Sequence, residues 1–488
     1  MSIELAVFRQ WPWWSGSHGY NPPWPATPAF AAPCRLCSLA SLMACRPTTT
    51  VGERVDCDVL VVGAGAAGLA TAIFAARAGP HLQVRCVDGA ARIGAKILVS
   101  GGSRCNVTNR CVSEHDFWGG STRTVRRVLQ AFPASRVVDW FEDMGVPLHE
   151  EEGGKLFPNT NRARTVLDAL VGQARLHRVR IDVGRRVQDI QQTAQHFVVS
   201  CGDGATYRSR AVVLATGGRS LPKTGSDGLG YELARRLGHG LVETTPALAP
   251  LVLGSGECRV LAGVSHPAAL TLWVGGRATI RLAGPLLWTH AGVSGPVVLN
   301  LSRHWHRARL GTDPSAVETR LSVCPEETFE SLDRWLLEQA GHKPRAKLTT
   351  VLSARLPAAV AEVWVRAAGL SADQTLAHIA RDDRRRVARG LVETPLEVRD
   401  SLGYQYAEVT AGGVPLAQVD AATMASRVCP GLFLVGEILD VDGRLGGFNF
   451  QWAWASGWVA GRGVVAYLAE AGQGARSDPR RNPRSQEE

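Results

Sequence analysis

The residues best suited to chemistry cluster in one stretch, KILVSGGSRCNVTN, residues 96–109. It brings a thiol, two cations, adjacent glycines and amides within a few residues of each other. Two chemistries fit. Cys105 and Cys111, with five residues between them, could form a redox-active dithiol. Alternatively Lys96, Ser100, Gly101, Gly102, Arg104, Cys105 and Asn106 belong to a loop wrapping a flavin. There backbone N–H groups and a cation stabilise negative charge on the reduced ring, and the Cys105 side chain packs beneath.

Late in the chain, GEILDVDGRLGGFNFQWAWASGWVAG, residues 436–461, supplies the second group of candidates. Gly436 and Glu437 end an apolar run, placing a carboxylate where it can accept hydrogen bonds from sugar-like hydroxyls. Gly446 and Gly447 leave room for backbone contact before a helix opening at Phe448 and Asn449, whose N-terminus suits an electron-rich edge. Asp440 and Asp442 read as capping and turn acids rather than catalysts, and Trp452, Trp454 and Trp458 as helix packing. His290, in THAGVSGP, is a candidate general acid or substrate anchor, against a histidine satisfied by neighbouring backbone.

These residues need elements to hold them. CDVLVVGAGAAGLATAIFAARAG, residues 57–79, reads as an apolar strand, a glycine turn and an alanine-rich helix. Gly63 permits the turn, Gly65 lets backbone approach a pyrophosphate, and Gly68 allows close helix–strand packing. Ala66 and Ala67 open the helix whose N-terminus faces the phosphates. The next strand, QVRCVD, ends at Asp88, at the distance where an acid meets ribose hydroxyls. A further apolar strand ends in Ala215, Thr216 and Gly217. Two early cofactor-touching segments and one late one imply an extended FAD rather than a simple nicotinamide dehydrogenase.

Composition narrows the class. A chain of 488 residues, 45% hydrophobic, can bury a large core. It has no run of about eighteen uninterrupted apolar residues, so no transmembrane helix is expected. Net charge is +10, mostly from dispersed arginines, and the dense run RDDRRRVAR at 381–389 reads as a solvated helix face rather than a nucleic-acid site. Eleven irregularly spaced cysteines argue against a disulfide framework and for a reducing, cytoplasmic setting. Cys34 and Cys37 lack a second pair at zinc spacing, so no metal is expected. Residues 1–54, rich in Pro, Trp and Gly, read as disordered or as an extension ahead of a true start at Met43. Residues 473–488 read as a disordered tail.

The Rossmann glycines, GAKILVSGGSRCNVTN, TGSDGLGYELARRLGH, THAGVSGPVVLNLS, AEVTAGGV and the 436–461 segment appear in succession. Together they resemble the BaiN-like or aminoacetone-oxidase-like family of bacterial NAD(P)/FAD-dependent oxidoreductases, over about residues 56–471. Arg444 and Phe448 stand where the resemblance leads one to expect an acid or small residue and a tyrosine. The resemblance implies an α/β fold: a discontinuous, Rossmann-like FAD domain at 55–245 and 404–472. It also implies an inserted β-rich, barrel-like substrate domain at 246–323 and 388–403, and a small helical domain at 324–387. Flavin enzymes with a redox dithiol space their cysteines one residue closer and carry a second glycine-rich nucleotide domain. No such unit follows here, which favours the cradle.

The expected function is hydride transfer between a small organic substrate and FAD, with NAD(P)H binding transiently as reductant and no nucleic-acid or membrane partner. An oxidase acting on a small amine, and an RNA-linked flavoprotein, are the alternatives. Substrate, nucleotide preference and oligomeric state are not legible.

Overall fold

Strand β1 (Cys57–Val62) is buried along nearly its whole length, as a parallel strand covered on both faces must be. In this computed structural model, which describes residues 55–254 and 256–476, it runs into helix α1 (Ala66–Ala78) and returns as β2 (Val84–Asp88), parallel to β1. The expectations for residues 1–54, including Cys34, Cys37 and Met43, lie outside the described residues. So does most of the C-terminal tail.

On the other side of β1 lies β3 (Thr206–Leu214), which serves two neighbours. Its first half pairs antiparallel with Phe197–Cys201, part of a meander with Val187–Gln192. Its second half pairs parallel with β4 (Leu432–Leu434), from the far end of the chain. The segment Arg180–Val183 completes the sheet beyond β2. Helix α2 (Phe448–Arg476) follows β4 and packs along α1. A Cβ at Gly457 would fall 3.0 Å from the Ala67 carbonyl oxygen, and one at Gly461 2.9 Å from that of Thr71. The two helices therefore meet backbone to backbone.

The chain leaves this core through Val242–Ala247 and returns through Val409–Gly413, two strands paired antiparallel. Between them a seven-stranded antiparallel sheet forms in the spatial order Thr394–Leu396, Val317–Ser322, Ser265–Val274, Arg277–Thr289, Gly292–Ser294, Leu251–Leu253, Val398–Ser401. Its two edge strands are consecutive in the chain with only Glu397 between them, so chain continuity draws the edges together and curls the sheet like a barrel. The helices Phe329–His342, Ala358–Ala367 and Arg381–Val392 share one apolar core with it.

The arginine run is partly spent on this packing. Arg384 donates to Asp333 at 2.8 Å, and Arg385 and Arg389 lie over the Phe329 ring. The helix Pro296–Gly311 is tied to the first core by Arg303, whose Nε and terminal nitrogen donate to Asp442 at 2.6 and 3.0 Å. Both partners are buried, so loss of either would strand a charge in a low-dielectric interior.

Candidate cofactor site

The glycine turn after β1 is shaped by contact. A Cβ at Gly68 would sit 1.8 Å from the Gly63 carbonyl oxygen, so the first turn of α1 can close on the strand end only without one. Gly65, the residue capping α1, is different. Its φ of −83° suits any residue, and nothing in the protein lies within 4 Å of a Cβ there. Asp88 closes the turn from β2: one carboxylate oxygen accepts the Ala64 N–H at 2.7 Å and the other the Ala90 N–H at 2.8 Å. An acid expected to meet a ribose thus also holds the phosphate turn in shape.

The loop after the helix start at Ala95 is built by backbone conformation. Gly101, Gly102 and Ser103 have φ of +54°, +67° and +66° in succession, a short left-handed turn, and Cys105 follows at +63°. Left-handed conformations cost an L-residue about 1–2 kcal/mol, so surrounding contacts must hold Ser103 and Cys105 in place. The Cys105 N–H donates to the Ser100 carbonyl at 3.0 Å. Trp454 and Gln451 of α2 grip the segment beyond, through the Val107 carbonyl at 2.9 Å and the Thr108 hydroxyl at 2.6 Å. Asn109 donates to the Gly446 carbonyl at 3.0 Å, joining this loop to the late glycines.

Cys105 is fully buried, and burial pushes its thiol up to about 12, whereas Cys111 is exposed. A thiol that stays protonated at neutral pH is a poor nucleophile for disulfide exchange. Arg104, a candidate cation, is engaged within the protein. Its guanidinium makes a bidentate pair with Glu151, at 2.6 and 3.2 Å, over the Phe157 ring. Lys96, the other candidate cation, donates from Nζ to Glu437 Oε2 and Ser220 Oγ, both at 2.5 Å.

Glu437 is heavily engaged. Its Oε1 accepts from the Ser220 hydroxyl at 2.7 Å and the Thr410 N–H at 3.0 Å. Only Oε2, beside Lys96, keeps capacity for a sugar-like hydroxyl. Thr410 lies within the AEVTAGGV segment, but neither it nor Ser220 stood among the candidates; the pairing of Val409–Gly413 with Val242–Ala247 places Thr410, and the Ser220 N–H donates to its hydroxyl at 3.1 Å.

Of the remaining candidates, Ala215 donates its N–H to Val62 at 2.9 Å and follows the end of β3 beside the glycine turn. The Thr216 hydroxyl next to it and Asn106 Oδ1 are buried atoms with no hydrogen-bond partner among the described residues. Gly217 has φ +71°. Gly436 accepts from the Trp452 indole at 3.1 Å. Phe448 is fully buried with Arg444 stacked over it at 4.3 Å, and Asn449 clasps Gly443 through both amide atoms. These two act within the protein, while Gly447, φ +93°, turns the chain back against the Thr108 carbonyl. His290 is exposed in the turn between Arg277–Thr289 and Gly292–Ser294.

The site fits an extended dinucleotide on grounds internal to the molecule. A glycine required by neither its own φ nor any neighbour stands at a helix N-terminus, and two unpartnered polar atoms lie buried along the adjoining segments. Among the described residues no helix is long and apolar enough to cross a membrane.

Comparison with known proteins agrees. Residues 57–463 match the family described as HI0933-like protein Rossmann domain. The chain is 31% identical over 405 residues to a 3-dehydro-bile acid delta(4,6)-reductase of Clostridium scindens, covering 83% of this chain and 98% of that protein. It is 31% identical over 412 residues to a ribosomal RNA dihydrouridine synthase of Escherichia coli, covering 84% and 98%. Its identity to the Haemophilus influenzae protein of the same name is 29% over 407 residues, covering 82% and 96%. The chain belongs to the HI0933-like family, the BaiN-like flavoproteins that its motifs resemble, and is an FAD-dependent oxidoreductase.

Proposed function

We propose that the enzyme reduces a carbon–carbon double bond conjugated to a carbonyl, on a small organic substrate, with NAD(P)H as electron donor. The names of the relatives support this class. A delta(4,6)-reductase of a 3-oxo steroid acid and a synthase of dihydrouridine both saturate a double bond conjugated to a carbonyl group. The carrier differs, a free small molecule in one and uridine within RNA in the other.

The observation that carries the cofactor assignment is Gly65, whose missing side chain nothing in the chain itself requires. In this reading the turn Gly63–Gly68 and the α1 N-terminus receive the pyrophosphate, and Asp88 orients the ribose. Ala215, Thr216 and Gly217 line the adjoining edge, and Glu437, held by Lys96, accepts a ribityl hydroxyl through Oε2. The loop Ser100–Asn106 and Gly446–Gly447 enclose the ring and keep water from it, with Phe448 and Asn449 supporting that loop from within. Bound FAD supplies the hydride chemistry. The separate apolar cores support the domain division at 55–245 with 404–472 against the inserted segment, where exposed His290 is the candidate for substrate contact.

The test is an anaerobic titration of purified protein with NADH and NADPH, following flavin absorbance near about 450 nm, then addition of a conjugated enone or of uridine-containing RNA. Bleaching followed by recovery with the enone supports the small-molecule reading. Recovery with RNA alone moves the substrate class to RNA. Flavin bleached only by an amine, with peroxide formed in air, replaces the reductase with an oxidase.

A further inference from the structure

A cavity of about 410 Å³ opens between the C-terminal end of α1, the middle of α2 and the helix Ala134–Asp143. Each of the three helices gives it one aromatic ring and one arginine: Phe74 and Arg77, Trp458 and Arg462, Trp140 and Arg136. Residues three or four apart share a helix face, so each helix turns its ring and its charge toward the same space. The rings pack together: Phe74 lies 4.7 Å from Trp140, and Phe132, also in the wall, stacks on Trp458 at 5.8 Å. The length of α1 separates this cavity from the dinucleotide turn, about 16 Å from Ala66 to Arg77.

The apolar part of the cavity is well packed, and the polar part is left incomplete. Arg104, Arg303 and Arg384 each close on a carboxylate. Arg77, Arg136 and Arg462 are exposed, and none makes a hydrogen bond or ion pair among the described residues. Arg77 and Arg462 lie instead over rings of their own helices, 5.9 Å from Phe74 and 5.0 Å from Trp458. A second, independent observation is the indole of Trp140. It is buried, yet its N–H has no acceptor among the described residues. The other deeply buried indoles of the same core, Trp452 and Trp454, both donate to backbone carbonyls. A buried donor left over in a cavity wall calls for an acceptor from outside the chain.

Charge then selects the ligand. Asp139 and Asp143 also line the cavity, so three guanidinium groups against two carboxylates leave one net positive charge. That balance suits a singly charged anion better than a phosphate dianion. A guanidinium takes a carboxylate through two parallel hydrogen bonds, and the packed rings favour an apolar body behind it.

We propose that this cavity is a binding site for an organic carboxylate carried on an apolar body, separate from the cofactor site. The carboxylate accepts from the arginines of the rim and the body rests on the rings. Such a ligand bridges three helices and stabilises the folded chain in proportion to its occupancy.

The experiment is isothermal titration calorimetry of FAD-loaded protein with adamantane-1-carboxylate, which has no conjugated double bond to reduce. The neutral 1-adamantanemethanol and the dianion phenyl phosphate are titrated alongside. The carboxylate is expected to bind with a Kd below about 1 mM and about tenfold more tightly than the alcohol. Arg136→Gln and Arg462→Gln, both at exposed positions, should each weaken it about tenfold and leave the rate of flavin bleaching unchanged. Asp139→Asn should tighten it. The indole N–H resonance of Trp140, assigned by its loss in Trp140→Phe, should move as the site fills. No binding of the carboxylate up to about 1 mM, or binding no tighter than that of the alcohol, overturns the proposal. Tighter binding of phenyl phosphate overturns the ligand class. Undiminished affinity in the double variant Arg136→Gln, Arg462→Gln, or a Trp140 resonance that stays in place, moves the ligand to another site and overturns this one.

Discussion

The turn Gly63–Gly68 and the loop Ser100–Asn106 both bring glycines to the same proposed cofactor, but by different physics. In the turn, Gly68 is demanded by a carbonyl 1.8 Å from where its side chain would begin, and Gly65 by nothing within the chain. In the loop, Gly102 is demanded by its dihedral angles alone and Gly101 by its dihedral angles together with the Asn106 N–H 2.9 Å from where its side chain would begin, while Ser103 and Cys105 occupy left-handed positions as well. A contact-defined segment fails abruptly when a side chain is added. A dihedral-defined one tolerates the wrong residue at a cost of about 1–2 kcal/mol each, provided its flanks are anchored as Trp454 and Gln451 anchor this one.

Substitutions can break that contrast. The largest effect is expected for Gly68→Val, which cannot be built without moving β1 from α1. It should abolish folding or cost several kcal/mol, more than common core substitutions, as measured by denaturant unfolding. Gly65→Leu comes next and separates the two demands of the turn. A Cβ there meets no protein atom within 4 Å, so the unfolding midpoint should stay near that of flavin-free wild type while the purified protein loses its yellow colour. A fully flavin-loaded Gly65→Leu would remove the cofactor from this turn.

The loop should respond more gently. Replacing Cys105 and Cys111 together with Ser should leave the rate of flavin bleaching by its donor within a few-fold, at a stability cost of about 1–3 kcal/mol from placing a hydroxyl in a buried site. Loss of bleaching with FAD still bound would restore the dithiol. Ser103→Gly, the smallest change, should raise stability by a few tenths to about 1 kcal/mol, since relief of the left-handed strain outweighs the added freedom of the unfolded chain. A destabilised Ser103→Gly would mean that the serine side chain, not backbone geometry, holds the loop.

Sequence and structure diverge along the same line. The β1–turn–α1–β2 unit was readable because each part is local. An apolar run dictates a buried strand, glycines dictate where backbone approaches, and Asp88 follows at a spacing set by one helix and one strand. The two-piece core and the curled antiparallel sheet were legible only through resemblance to a family, since nothing in residues 432–434 announces that they will pair with the second half of β3. Arg104 illustrates the limit. Its type suited a flavin's charge, yet Glu151, on a strand brought alongside by the Lys155–Pro158 hairpin, takes it in a bidentate pair.

By itself, then, the sequence determined the dinucleotide turn, the family and the flavin class of the chemistry, because glycines and acids at short spacing act within one or two turns of backbone. Only the tertiary structure decided which charges meet. Lys96 closes on Glu437 and Ser220, and Arg303 on Asp442. Those pairings join residues far apart in the chain, and long-range contact depends on how the sheets and helices pack rather than on any local pattern.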